Sequence, residues 1–355
     1  MTPFSVRDLN PICLVRYGRK CCLSTEGLME HLTQKKMTIF SGRASRELAQ
    51  DVADALAIEL GESNVEDFAN GEIHCRFSSS VRGTDVFILN THSAWNGHTI
   101  NDSLMEHLIM VDAAKRASAK RITVVAPFYG YGRQDRKAAG REPITAKLIA
   151  NMFRAAGASR LVSIDLHSGQ IQGFFDGPVD HLTAMPVLVD YLSSLGTEDL
   201  VVVSPDAGRV KVGERYANKL GASLAIVHKS RVVDKKNMVE AKEVVGEVEG
   251  KTCVVIDDMI DTGGTIVAAS DVLMEKGAKS VLAATTHPVL SGPAIDRLKN
   301  SSIEKVIVTD TLPLPPEKQF DKLVVLSVAD ILARAIEAVF MDTTVSEIFD
   351  GHNQM

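Results

Sequence analysis

Aromatic residues are scarce, 5% of the 355-residue chain with a single tryptophan. Val, Ile, Leu and Ala must therefore fill the interior, which suits a parallel sheet wrapped by helices. Cysteine is scarce as well, five in all. In a chain this long that excludes a disulfide framework and leads us to expect a cytoplasmic location. No run of 18 apolar residues occurs, so neither a transmembrane helix nor a membrane partner is expected. Positive charge is in deficit, 39 Lys and Arg against 45 Asp and Glu for a net charge of −6. A nucleic-acid partner, which selects a basic surface, is excluded on that ground. Any anionic substrate has to be held by local cations and backbone dipoles. The chain also lacks the Gly-Lys-Ser/Thr of a Walker A loop and the GxGxxG of a dinucleotide fold.

What the chain does have is concentrated in residues 251–276, KTCVVIDDMIDTGGTIVAASDVLMEK. The apolar run 253–256 predicts a strand buried on both faces, and Ile266, Ala269, Val272 and Leu273 recur at helical spacing. Between them, Gly263 and Gly264 let a ligand approach successive N–H groups, Thr262 and Thr265 add hydroxyls, and the helix that follows presents its positive end. That is a cradle for one phosphate. Asp257, Asp258 and Asp261 repel phosphate, but they can accept hydrogen bonds from sugar hydroxyls or hold Mg2+ through water. The stretch reads as a site for a phosphorylated sugar.

Strands and helices alternate along the rest of the chain. Strands are expected at 38–41, 65–68, 73–77, 86–89, 122–126, 161–164, 200–203, 224–227, 252–256, 281–284, 306–309 and 323–326. Helices are expected at 46–60 (closed by Gly61), 104–117, 144–156, 186–195, 210–220, 266–276 and 329–340. Segments 65–68 and 73–77 form a hairpin around Asn70-Gly71, and 238–247 pairs with 252–256 in a second. The order of strand, functional loop and helix at 122–156 repeats at 252–276, so the fold class is α/β, with two similar doubly wound parallel-sheet domains. Boundaries are set at 37–182 and 183–340, with a tail at 341–355 that packs on the N-terminal domain. Residues 1–36 stand apart as a flexible extension: Cys13, Cys21, Cys22 and His31 match no zinc-ligand spacing, and Met37 offers a second start for the functional chain.

Ligands in such sheets lie beyond the carboxyl ends of the strands. His167, in Asp165-Leu166-His167-Ser168, and Asp206, in Ser204-Pro205-Asp206-Ala207-Gly208, occupy two such ends and suit a divalent ion. The loop 129–142 carries Arg133, Arg136, Lys137 and Arg141 beside Gly130 and Gly132, as a hinged polyphosphate lid would. Lys229-Ser230-Arg231 leaves the strand 224–227 and can reach a transferring phosphoryl group.

From Met37 onward the chain resembles the ribose-phosphate diphosphokinase (phosphoribosyl pyrophosphate synthetase) family. The matching stretches are FANGE (68–72), RQDRK (133–137), DLHSGQIQGFFD (165–176), SPDAG (204–208), HKSR (228–231) and DDMIDTGGT (257–265). The resemblance implies domains of phosphoribosyltransferase type and transfer of the diphosphoryl group of ATP to the 1-hydroxyl of ribose 5-phosphate, supplying nucleotide biosynthesis. It implies ribose 5-phosphate binding by Asp257, Asp258, Asp261, Thr262, Gly263, Gly264, Thr265 and Arg231. ATP falls to Phe68, Asn70, Gly71, Glu72, Arg133 and Gln134, with the Phe68 segment lent by a neighbouring subunit. Mg2+ falls to His167 and Asp206, and catalysis to Lys229 and Arg231. It further implies a homohexamer of the phosphate-activated class, with inorganic phosphate as activator and an ADP site touching Ser80, Arg82 and Ser168. Arg209 departs from the pattern, since relatives usually carry glycine there. Two alternatives are a phosphoribosyltransferase, which needs neither FANGE nor RQDRK, and a non-catalytic regulatory subunit, which would have lost Lys229 and Arg231 or an unbroken loop.

Overall fold

Strands apolar at nearly every position can be covered on both faces, and they assemble here into two mainly parallel sheets. The computed structural model describes the backbone of residues 13–16, 19–22, 35–196, 198–234 and 237–349, and the side chains of 35–196, 198–228, 243–346 and 348. In the extension, β1 (Cys13–Arg16) and β2 (Arg19–Cys22) form an antiparallel ladder. Their cysteine side chains, and His31, lie outside the described residues.

The first sheet is parallel throughout. Its order is β3 (Met37–Ser41), β6 (Asp85–Leu89), β7 (Arg121–Ala126), β8 (Arg160–Ile164) and β9 (Val179–Leu182). The hairpin β4 (Ser63–Asp67) and β5 (Ile73–Phe77) stands apart as its own antiparallel pair. Successive strand residues face opposite layers. Phe40, Val86, Ile88 and Val124 meet α2 (Ile100–Arg116) and α3 (Thr145–Ala156) on one side. Ile39, Phe87, Leu89 and Val125 meet α1 (Arg46–Ala55) on the other.

In the second sheet the order is β12 (Asn237–Val245), β11 (Ser223–Asp234), β10 (Leu200–Ser204), β13 (Thr252–Ile260), β14 (Ser280–Pro288), β15 (Ile303–Thr309) and β16 (Leu323–Leu326). From β10 the chain winds outward to β11 and β12, then returns to lay β13 on the other side of β10. The gap between β10 and β13 is thus a topological switch point, where such folds open a crevice. Val201, Val203, Cys253 and Val255 pack under α6 (Gly264–Glu275) and α7 (Ala294–Lys299). Leu200, Val202, Val254 and Ile256 face the opposite way, toward α4 (Met185–Ser194), α5 (Val210–Leu220) and α8 (Ala329–Phe340). That second layer is continuous with the α1 side of the first sheet, so Ile39 and Ile336 belong to one apolar cluster. Beyond α8, Asp342 pairs with Arg121 of β7 at 2.6 Å and with Lys35, whose ammonium also bonds the Phe340 carbonyl at 3.0 Å.

Several expectations are corrected. The predicted hairpin of 238–247 with 252–256 does not form: β12 pairs antiparallel with β11, and β13 lies parallel between β10 and β14. Charge decides this, since Glu240, Lys242 and Glu243 suit an edge and β13 is apolar on both faces. Helix 46–60 stops at Ala55. Gly61 does not cap it but pairs with β3, its N–H donating to the Ile39 carbonyl at 2.8 Å. A Cβ there would stand 2.6 Å from the Phe40 ring, so close approach requires the glycine. Strand β9 and helix α7 went unpredicted. Strand β14 runs past the predicted end at Ala284 because Thr286 and His287 are buried with hydrogen-bond partners. Among the described residues no helix is long and apolar enough to cross a membrane.

Candidate active site

Strand β13 continues past its predicted end at Ile256, so Asp257, Asp258 and Met259 are strand residues in register with β14, Asp257 opposite Thr285 and Met259 opposite His287. Only residues 261–263 remain as loop. Gly263 turns it with φ 73°, in the left-handed region that glycine enters without penalty, and α6 starts at Gly264. Neighbouring donors brace the loop carbonyls: Leu290 N to Ile260 O at 2.9 Å, Ser291 N to Asp261 O at 2.9 Å, and an Arg297 Nη1 to Thr262 O bond at 3.0 Å. The first N–H groups of α6 have no intrahelical acceptor and carry the positive end of its dipole.

Two further strand ends meet at this loop. After β10, Asp206 caps a short turn, its Oδ1 accepting from Gly208 N at 2.8 Å and Arg209 N at 3.2 Å. That fixes the base of the Arg209 side chain, whose Nε lies 3.2 Å from Asp257 Oδ1 while Nη2 pairs with Asp258. After β8, His167 Nδ1 lies 2.7 Å from the same Asp258 Oδ2. A carboxylate at that distance accepts the Nδ1 proton, which leaves Nε2 outside this contact. Burial and the charge of Asp258 raise the affinity of Asp257 for its proton, against the pull of Arg209. For Asp258, burial pushes upward, but the His167 hydrogen bond and Arg209 outweigh it and the net shift is down.

The turn that presents His167 is anchored at the domain junction. Asp165 adopts φ 38° and accepts from Thr183 Oγ1 at 2.7 Å, Ala184 N at 2.9 Å and, from the second domain, Thr286 Oγ1 at 2.6 Å. Buried His287 adds contacts from Nε2 to the Ile164 and Asp165 carbonyls at 3.1 and 3.2 Å. Sequence reasoning gave Asp165, Thr286 and His287 no role. A polar Thr-His-Pro ending an apolar strand was the available signal.

Loop 129–142 divides in two. Gly130 N donates to His92 Nδ1 at 3.0 Å, and a Cβ at Gly130 would meet His92 Cβ at 2.8 Å. His92 Nε2 lies 3.2 Å from His107 Nδ1, and His107 Nε2 lies 3.0 Å from the Ile88 carbonyl. One set of neutral tautomers satisfies all three contacts, with Nε2–H on both rings. Burial depresses both histidines, His107 to about 4. Asp135 is buried, accepting from Ser168 at 2.5 Å and Gln170 at 2.7 Å, and Gln134 takes the Thr145 hydroxyl at 2.5 Å. The first half of the loop is therefore tied to the body; residues 136–142 are exposed. Arg133 reaches across the cleft to Asp261 at 2.7 Å.

A cavity of about 190 Å3 is lined by Arg133, His167, Asp206, Arg209 and residues 257–266. A second, of about 520 Å3, adjoins it and is lined by Tyr129, Gly132, Arg133, Gln134, His167, Asp261 and His287 among others. Phe68, Asn70, Gly71 and Glu72 line neither; they sit at the β4–β5 tip, with Phe68 54% exposed. Lys229 and Arg231 do not leave a strand end as expected, because β11 continues to Asp234 and sets them opposite Lys242 and Glu240 of β12. Their side chains lie outside the described residues. Ser80 and Arg82 are exposed on the first domain, Arg82 touching Ser118 at 3.4 Å, whereas Ser168 is bonded to Asp135.

Comparison with known proteins bears on these same stretches. Residues 37–157 match the family model described as the N-terminal domain of ribose phosphate pyrophosphokinase, and residues 232–350 match the phosphoribosyl synthetase-associated domain. The chain is 54% identical over 318 residues to a ribose-phosphate pyrophosphokinase of Streptomyces avermitilis, covering 89% of this chain and 97% of the relative. It is 52% identical over 329 residues to one of Bifidobacterium longum, covering 92% of this chain and 96% of that protein. The crystal structure of phosphoribosylpyrophosphate synthetase from Mycobacterium smegmatis superposes with TM-score 0.82 at 52% identity, covering 87% of this chain and all of that one, 100%. With both domain models matched and identity above half over nearly its whole length, the chain belongs to the ribose-phosphate pyrophosphokinase family.

Proposed function

We propose that the chain transfers the β,γ-diphosphoryl group of ATP to the 1-hydroxyl of ribose 5-phosphate, releasing AMP. The observation that carries this reading is the 190 Å3 cavity. It joins the start of α6, with Gly263, Thr262 and Thr265, to the carboxylates of Asp257, Asp258 and Asp261. The first set suits the 5-phosphate and the second suits ring hydroxyls. The adjoining 520 Å3 cavity, with Arg133 and Gln134, suits the triphosphate. The names of the relatives at 52–54% identity support the same pair of substrates.

The reaction is an in-line displacement at the β-phosphorus, and such barriers fall through positioning and fixed positive charge. In this reading, residues 261–265 hold the far end of the sugar, so that its anomeric oxygen points toward the second cavity. Arg133, paired with Asp261 in the free chain, turns to phosphate once ATP is bound. Lys229 and Arg231, carried on β11 two strands from β13, supply charge to the equatorial oxygens. The exposed Phe68 at the hairpin tip serves the adenine of an adjacent subunit, since it lines neither of the two cavities described above. We assign Ser80, Arg82 and Ser168 to a subunit-interface site for ADP and inorganic phosphate, with Ser80 and Arg82 exposed on the first domain.

The residues present fit Mg2+. Among those described, hydrogen bonds occupy Nδ1 of His167 and Oδ1 of Asp206, leaving Nε2 and Oδ2 for a cation. No cluster of three or more His, Cys, Asp or Glu suited to metal occurs among them, which agrees with an ion that completes its shell from water and substrate phosphates. Bound there, Mg2+ would neutralise charge on the phosphate oxygens.

The test is purified chain with ATP, Mg2+ and ribose 5-phosphate, with nucleotide products separated over time. AMP formed in step with loss of the sugar phosphate is expected. ADP as the sole product would make the chain an ordinary kinase and end this reading.

A further inference from the structure

Arg209 lies where the proposed sugar site needs a cation and where sequence pattern offered no reason for one. Three carboxylates, Asp257, Asp258 and Asp261, crowd five residues, and the ligand assigned to them is itself an anion. Arg133 answers Asp261 from across the cleft. The Asp257–Asp258 pair is answered from within the second domain by Arg209, through Nε at 3.2 Å and the Nη2 contact to Asp258. The fork is held at both ends: its backbone N–H is bonded to Asp206, and its side chain is only 16% exposed. Its Nη2 also stands 3.1 Å from His167 Nδ1, so imidazole and guanidinium converge on one oxygen of Asp258.

We propose that Arg209 is a positioning residue for the sugar: it neutralises the Asp257–Asp258 pair in the metal-free chain and holds both carboxylates turned toward the ribose hydroxyls. The inference rests on the assignment of residues 257–265 to ribose 5-phosphate. A planar guanidinium spans two carboxylates at fixed separation, which neither water nor a lysine ammonium does. Its consequence is an order of events. The sugar phosphate is able to dock before any divalent cation arrives, because the charge that would otherwise repel it is already met. Once Mg2+ is bound nearby, that duty is shared and the arginine matters less.

The experiment is calorimetric titration of ribose 5-phosphate into the full chain and into R209Q and R209K, first in EDTA and then in saturating Mg2+. Wild type should bind in EDTA, and R209Q should bind about tenfold or more weaker there, as expected for truncating one partner of a buried charge pair. In Mg2+ the gap should close to about threefold, and R209K should fall between, having the charge without the fork. In steady state, the KM for ribose 5-phosphate should rise more than kcat falls. Equal binding by R209Q and wild type in EDTA overturns the proposal, as does an R209Q defect of the same size in both buffers. Wild type that binds only with Mg2+ overturns it too, while leaving the sugar site in place. Wild type that binds in neither buffer removes the site assignment itself. If circular dichroism shows R209Q unfolded, R209K against wild type decides by the same criteria.

Discussion

The His92–His107 pair makes the chain's stability depend on acid in a calculable way. Both rings are fully buried, and protonation would cost His92 Nδ1 its acceptance from Gly130 N and His107 Nδ1 its acceptance from His92 Nε2. The folded pKa is depressed, so below about 6.5 the unfolded chain takes up protons that the folded chain refuses, and stability falls as pH drops. The contribution is complete above the unfolded value and is lost progressively down to the folded value, about 4 for His107. Acidification from about pH 7.5 to about pH 5 then costs about 2 kcal/mol for His107, and His92, depressed by burial and by the neighbouring His107, adds to that loss. His287, also buried and depressed, adds a loss of the same sign. The assay is urea denaturation across that range for wild type and for a chain carrying His92→Asn with His107→Gln. The double variant starts less stable, from lost packing and hydrogen bonds, but its midpoint should fall with acid far less steeply. An acid slope identical in the two chains would refute the reasoning.

Two further outcomes follow from the loop. Asp261→Ala removes a carboxylate from the sugar side together with the partner of Arg133, so the KM for ribose 5-phosphate should rise more than that for ATP; the reverse ranking in steady-state kinetics contradicts the site assignment. Gly263→Ala meets no obstruction, its nearest neighbours being Ala294 Cα and O at 3.6 Å, so its cost is the left-handed backbone alone, about 1–2 kcal/mol. A urea midpoint and sugar KM both equal to wild type would show that the turn does not depend on glycine.

Much of this architecture was legible because periodicity is local. The helices at 210–220 and 329–340 and the strand 323–326 fall where spacing alone puts them. The loop of β13 and α6 was legible for another reason: two glycines, two threonines and three aspartates in nine residues have few other uses. What escaped depends on partners distant in sequence. Gly61 looked like a helix stop, but it is pressed against Phe40. Strand β12 looked like the neighbour of β13, nearest in the chain, yet an edge suits its charges. Arg209 stood out only as a departure from its relatives. Its meaning emerged from two carboxylates some 50 residues away and a histidine from the other domain, a separation no short-range pattern spans.

One apolar cluster runs unbroken from Ile39 of the first sheet, through Leu188 of α4, to Ile336 of α8. Prising the halves apart would bring that cluster into water, so the two lobes have no inexpensive way to gape and shut like a hinged jaw. Any opening of the cleft is then left to local segments, such as the exposed stretch 136–142 of the loop 129–142.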